Sequence, residues 1–291
     1  MSVEPDVDHD ALDWSGVVAA TYRIDQSIRY DYAEPIRDLR HRLVISPRSA
    51  HGNQRRISHE LLVAPNVPAD LRADAFGNDV LALDVPYVRE SIAFTLRSTV
   101  VRDLRLGEHL VDEAALRDRA LQGKRRLIRV DAALADAAAE LRAQYADPAE
   151  LAEAIVRYVH REMIYTKGVT DIFTTASVAL RMHRGVCQDY AHVAIALARA
   201  AGLAARYVSG HLLGEGATHA WVEFLVPANG AARVLSFDPT TGRATNWKYL
   251  VIAVGRDYED VAPTSGVFTG TAPGRFGAHQ AVRVTEITRA A

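Results

Sequence analysis

The apolar residues of this chain change their period twice, and that change limits the fold more than any single motif. From about Val17 to Arg105 the apolar runs are short. TYRIDQSIRYDY alternates, and RHRLVIS, HELLVAP, VLALDVP and IAFTLRSTVV are rich in Val, Ile, Leu and Phe. Turn formers such as SPRSAHGNQ and AFGNDV separate them. Phe76-Gly77-Asn78-Asp79 reads as a tight turn, because Gly and Asn tolerate positive φ. This spacing predicts a β-rich, sandwich-like N-terminal domain over residues 17–105. Ahead of it, residues 1–16 are expected to be a disordered tail.

From about Leu106 to Tyr165 the period becomes helical. DAALADAAAELRAQYA is an amphipathic stretch, and Asp147-Pro148 then places an N-cap and a first-turn proline before AELAEAIVRYVHREMIY. Leu151, Ile155, Tyr158 and Val159 share one face of that helix. A short helical piece, ASVALRMHR, leads to Gly185. A further helix runs from Cys187 to about Ala201 and stops at Gly202. Three strand-like runs follow, ARYVSGHLL, THAWVEFLVP and ARVLSFDPT, and AVRVTEITR closes the chain. Helices followed by an antiparallel meander make an α+β order. Residues 106–130 are expected to be a helical linker, 131–270 the α+β core, and 271–291 a C-terminal strand segment.

Composition narrows the function classes. Hydrophobic residues make up 49% of the chain and charged residues 24%, as in soluble globular proteins. The net charge of −2 gives no basic field for nucleic-acid binding. RRISH at 55–59 and KRRLIR at 124–129 read as solvated faces. MSVEPDVDHDALDWSG lacks the basic and apolar regions of a signal peptide, and no apolar run approaches the roughly 20 residues of a membrane helix. A cytoplasmic protein with no membrane partner is therefore expected. With a single cysteine, no intrachain disulfide can form.

That cysteine, Cys187, begins a helix, where free backbone N–H groups and the positive helix end favour an anion such as a thiolate. Taken alone, a cysteine before an apolar helix is usually a buried small hydrophobe. His219 alone would be a structural histidine, and Asp238 before Pro239 a turn residue. Their joint placement argues otherwise. His219 lies 32 residues after Cys187 at a strand start, and Asp238 lies 19 residues further at a strand end. Neighbouring antiparallel strands bring such positions to one sheet edge, as a thiol nucleophile, an imidazole base and an orienting carboxylate require. The Cys187 N–H is a natural oxyanion donor, and Gln188 is a second candidate. Asp189 and His192 lie two and five residues further along the helix, off the face of Cys187, and read as capping or packing groups. A metal site on His183, Cys187, His192, His211 and His219 is not expected. No CxxC or HExxH is present, and Gly185 interrupts any helix joining the first pair.

RGVCQDYAHVAIALARAAGLAARYVSGHL, then THAWVEFLVP, then FDPT, resembles the transglutaminase-like core of bacterial proteins over roughly Asp131 to Gly270. YDYAEPIRDLRHRLVISPR and DAFGNDVLALDV resemble the N-terminal β region that accompanies such cores. The resemblance implies a papain-like α+β core preceded by a β-rich domain, with Cys187 as nucleophile, His219 as base and Asp238 as orienter. It implies a cysteine-dependent amide or peptide hydrolase acting through a thioester on a peptide or protein substrate, without a cofactor. Alternatives are a transglutaminase that transfers an amine to a glutamine carboxamide, and a non-catalytic peptide-binding or assembly protein. A homo-oligomer is compatible with either. One departure is visible: a Gly-Trp pair often precedes the Asp strand in these cores, and here the place reads GAARVLSFD.

Overall fold

The computed structural model describes residues 12–118, 121, 125–271 and 273–290. The first half supplies β1 (Val17–Tyr32), β2 (Ile36–Leu43), β3 (Ala50–His51), β4 (Gln54–Ala64), β5 (Asp70–Ala73), β6 (Asp79–Val88) and β7 (Ser91–Asp103). Next come β8 (Leu110–Asp112), α1 (Ala132–Gln144), α2 (Pro148–Glu162), β9 (Ile164–Tyr165), α3 (Ala176–Met182), β10 (Arg184–Gly185) and α4 (Cys187–Ala200). The remainder is β11 (Ala204–Leu212), β12 (Thr218–Ala228), β13 (Ala231–Asp238), β14 (Arg243–Ala244), β15 (Tyr249–Gly255), α5 (Tyr258–Val261), β16 (Thr264–Thr269) and β17 (Gly274–Arg289).

The early strands form a sandwich, as their alternation predicts. One sheet runs β17-β1-β7-β4-β3 and the other β16-β2-β6-β5. In β7 the residues Ile92, Phe94, Leu96, Ser98 and Val100 alternate inward. The first three meet Ile36, Leu39 and Leu83 from the facing sheet in one core. The second sheet system, β14-β13-β12-β11-β15, carries the meander β11-β12-β13. Against it lies α4, buried on every side from Gln188 to Ala198, so its apolar sequence is that of a central helix. Asp147 caps α2 through the N–H groups of Ala149 and Glu150, at 2.8 and 3.0 Å, with Pro148 in the first turn. Among the described residues no helix is long and apolar enough to cross a membrane.

Three local expectations differ from the structure. The stretch read as a helical linker, 106–130, contains β8, which pairs antiparallel with Ala231–Arg233 of β13 and covers part of an otherwise open strand edge. The stretch 131–270 does not end on core structure, because β16 pairs with β2 of the sandwich. The C-terminal strand follows it and runs beside β1 from Gly274 to Arg289. The chain therefore closes back on its first strand. Residues 1–11 of the expected tail lie outside the described residues. Trp14, however, stacks on Trp247 with ring centroids 6.0 Å apart, and Arg289 donates to the Asp13 and Ser15 carbonyls.

Two amide side chains join the halves. β15 is an outer strand of its sheet, with unpaired backbone groups on one side. Gln54 donates to the Val251 carbonyl at 2.7 Å and accepts from the Val251 N–H at 2.9 Å. Asn78, from the predicted tight turn, treats Val254 the same way at 2.7 and 2.9 Å. The sandwich thus acts as a polar cover for that edge.

Candidate active site

Cys187 is the first residue of α4, after Val186 in extended conformation. The sharpness of that entry comes from Asp189. Its Oδ2 accepts the Val186 N–H at 2.8 Å and the Thr170 hydroxyl at 2.7 Å. A side chain at Gly185 would lie 2.5–2.8 Å from the Asp189 side-chain atoms, so only glycine lets the carboxylate fold back beneath the turn. Asp189 is therefore the capping residue expected, and the turn leaves Cys187 only partly buried. Gln188 sits beside it in the first turn and is buried.

His219 is the second residue of β12 and Asp238 the last of β13, and the two adjacent strands bring them together. His219 Nε2 donates to Asp238 Oδ2 at 2.9 Å. That leaves Nδ1 free of Asp238; Glu215 Oε2 lies 3.9 Å from it, and Cys187 is near enough to act on the ring. Burial works against a charged imidazole, but the Asp238 hydrogen bond and the Cys187 partner prevail and raise the His219 pKa to about 10. Asp238 is fully buried, which opposes its charge. Its Oδ1 accepts the Thr240 N–H and hydroxyl at 2.8 and 2.7 Å, and Oδ2 accepts the Tyr249 hydroxyl at 2.8 Å as well as His219. These bonds hold its carboxyl below the ordinary carboxylate range.

The imidazole is also held by packing. Trp221, two residues along β12 and on the same face, stacks near it with centroids 6.3 Å apart and donates its indole N–H to Ser236 at 3.0 Å. Gly210 pairs with His219 across the sheet, and a Cβ there would press into the Trp221 ring and the Leu250 carbonyl. Gly210→Ala is expected to cost about 1–3 kcal/mol of stability and to lower turnover by displacing Trp221. Thermal melts and steady-state kinetics check both, and a variant indistinguishable from wild type in each would show that this contact is slack.

The other histidines weighed as metal ligands do not gather. His183 Nδ1 bonds the Glu162 carbonyl, His192 accepts the Tyr258 N–H at 3.2 Å, and His211 is buried apart from both. On sequence alone an aromatic strand residue such as Trp221 could line a cleft but is more often core, and Gly210, Thr240 and Tyr249 are not among the site candidates. Thr240 had a local signal, since Asp followed two residues later by Thr is an Asx-turn pattern. Tyr249 and Gly210 act across strands and had none.

A sequence model of the transglutaminase-like superfamily matches residues 135–239, and one of the bacterial transglutaminase-like N-terminal region matches residues 22–101. The uncharacterized protein Mb2599c of Mycobacterium bovis is 30% identical over 278 residues, covering 84% of this chain and 87% of that protein. The uncharacterized protein ML0607 of Mycobacterium leprae is 34% identical over 155 residues, and the chain spans about half of its length (52%). Among solved structures, a candidate cysteine protease from Cytophaga hutchinsonii has the same fold. Its TM-score is 0.66 at 20% identity, over 92% of this chain and 91% of that one.

Proposed function

Because the chain belongs to the transglutaminase-like superfamily, we propose that it is a cysteine-dependent amide or peptide hydrolase in which Cys187, His219 and Asp238 form the catalytic triad. The observation that carries this reading is the position of His219, hydrogen-bonded to Asp238 through Nε2 and near enough to Cys187 for the two to influence each other's charge. Asp238 fixes the ring and stabilises the imidazolium, and the imidazolium stabilises the thiolate.

The Cys187 sulfur attacks the carbonyl carbon of the substrate, and the oxyanion faces the backbone N–H of Cys187 at the helix start, with Gln188 as the candidate second donor. His219 passes its proton to the departing amine, leaving a thioester. Water then attacks the thioester while His219 takes its proton, and the acid leaves as the thiolate–imidazolium pair reforms. Tyr165 is exposed and close enough to feel the Cys187 charge, and its ring offers an apolar lip for a peptide side chain. Hydrolysis is favoured over amine transfer, because an acyl-enzyme reserved for an amine requires a site that excludes water.

Alkylation tests the pair directly. Iodoacetamide is expected to modify Cys187 in wild type at about pH 6.5, well below the free-thiol range near 8.5, and at least tenfold (~10×) more slowly in His219→Ala. Equal rates in the two proteins, or an inert Cys187, would remove the basis for a nucleophilic triad. Ammonia release from glutamine peptides, measured beside incorporation of a labelled amine, separates hydrolysis from transfer.

A further inference from the structure

Behind Trp221 and Tyr249, on the side away from Cys187, lies a cavity of about 130 Å³ between the sandwich and the core sheet. His51, His109 and Glu223 meet at it, and one ligand-type atom from each lies within 4.8 Å of the others. They come from three separate elements. His51 ends β3, His109 precedes β8, and Glu223 lies in β12, where His219, Trp221 and Glu223 alternate on one face.

The cluster has the features of a ligand set. Glu223 Oε1 is 2.7 Å from His51 Nε2, while Arg206 holds Oε2 at 2.7 Å. Arg206 thus orients the carboxylate from behind and leaves one oxygen turned toward the histidines. The His109 ring packs edge-on against His51, with centroids 4.4 Å apart. Among the described residues it makes no hydrogen bond that would account for its placement. Gly52 has a φ of +53°, and a Cβ there would lie 2.9 Å from the His109 ring, so the hairpin turn is shaped to admit that imidazole. The cavity beyond is lined by polar groups, including Asn53, Gln54, Ser236 and Thr245, and has room for a water as a further ligand.

We propose that His51, His109 and Glu223 bind a zinc-type divalent ion that pins the β3–β4 hairpin and the segment before β8 to β12. Two imidazoles and one carboxylate with an open fourth position form a recurrent zinc ligand set. Tetrahedral ligands at about 2.1 Å from zinc stand about 3.4 Å apart, so edges of up to 4.8 Å must close by as much as about 1.4 Å, while His51 and Glu223, now 2.7 Å apart, must part by about 0.7 Å. His109, the partly exposed member, has the freedom to close those edges. Arg48 and Arg206 both bear on the cluster with positive charge. That charge disfavours Ca²⁺ and Mg²⁺, which depend on several anionic oxygens, and leaves the advantage to an ion that bonds strongly to imidazole.

The test uses the full chain carrying Cys187→Ala, which removes the competing thiol and touches none of the three ligands. Calorimetric titration with zinc chloride alone is expected to show one equivalent bound, and magnesium chloride none. Adding His109→Ala, or the bulkier His109→Gln, is expected to weaken zinc binding at least tenfold (~10×), since loss of even an outer-shell partner costs that much. Thermal melts in EDTA check that both variants fold. Adding His219→Ala instead is expected to leave the equivalent in place. No zinc bound by the Cys187→Ala protein would overturn the site. So would binding that survives both His109 substitutions, or binding lost only with His219. The outcome is independent of whether the triad hydrolyses amides.

Discussion

Cys187→Ala is expected to lower amide turnover by at least about 10⁴-fold, with the fold intact. The size follows from the step removed, since without the sulfur no thioester forms and only binding and oxyanion stabilisation remain. The fold is spared because Cys187 is partly exposed at a helix start, and the entry turn is made by Gly185 and Asp189. Turnover of a peptide amide and a thermal melt on the same preparation give the two readouts. His219→Ala is expected to cost a similar factor, and the double variant little more than either alone, because the pair acts as a unit. Turnover within about tenfold of wild type in Cys187→Ala is the result that sinks the mechanism; a much lower melting temperature would instead assign the cysteine a packing role.

The sequence shows the three candidate site residues and the order of elements more readily than the way the chain ends meet. Period-2 alternation in β1 and β7 and the helical spacing in α2 are local, so they can be read in a window of ten or so residues. Cys187, His219 and Asp238 were legible for a related reason: each is a chemically distinctive residue at the end of an element whose type is itself legible. Pairing across long separations leaves no such trace. Nothing in AVRVTEITR shows that it runs beside β1, and nothing in the residues after Leu106 shows that Leu110–Asp112 adds to β13. Gln54 and Asn78 look like ordinary turn residues until the open edge of β15 is in view. His51, His109 and Glu223 share the same obscurity. They fall in no spacing motif, and only the docking of the sandwich on the core makes them neighbours.

Asp238→Asn is expected to lower turnover by roughly 10³–10⁴-fold, the effect of losing an orienting carboxylate, for a reason that can be followed atom by atom. Asp238 accepts hydrogen bonds at both oxygens. An asparagine has one accepting oxygen, and the Thr240 backbone N–H, a donor that cannot reverse, claims it. The NH₂ group then faces His219 Nε2 and Tyr249, and the imidazole must accept at Nε2. Its proton moves to Nδ1, the side facing Cys187, where it can no longer take the thiol proton. The same substitution should alter stability in a definite pH window. His219 titrates near 10 in the folded chain against 6.5 as an ordinary histidine. Its contribution is therefore fully present below about 6.5 and is lost as pH rises through about 10. The Asp238 carboxyl is depressed, so its contribution is present above its ordinary value of 3.8 and is lost as pH falls through its lower folded value. The gap in melting temperature between wild type and Asp238→Asn should be widest between these limits, near pH ~5–6, and should narrow toward pH ~10. A gap that stays constant from pH ~5 to ~10 would mean that Asp238 supports the fold without holding a charged His219, and the thiolate–imidazolium pair would lose its physical basis.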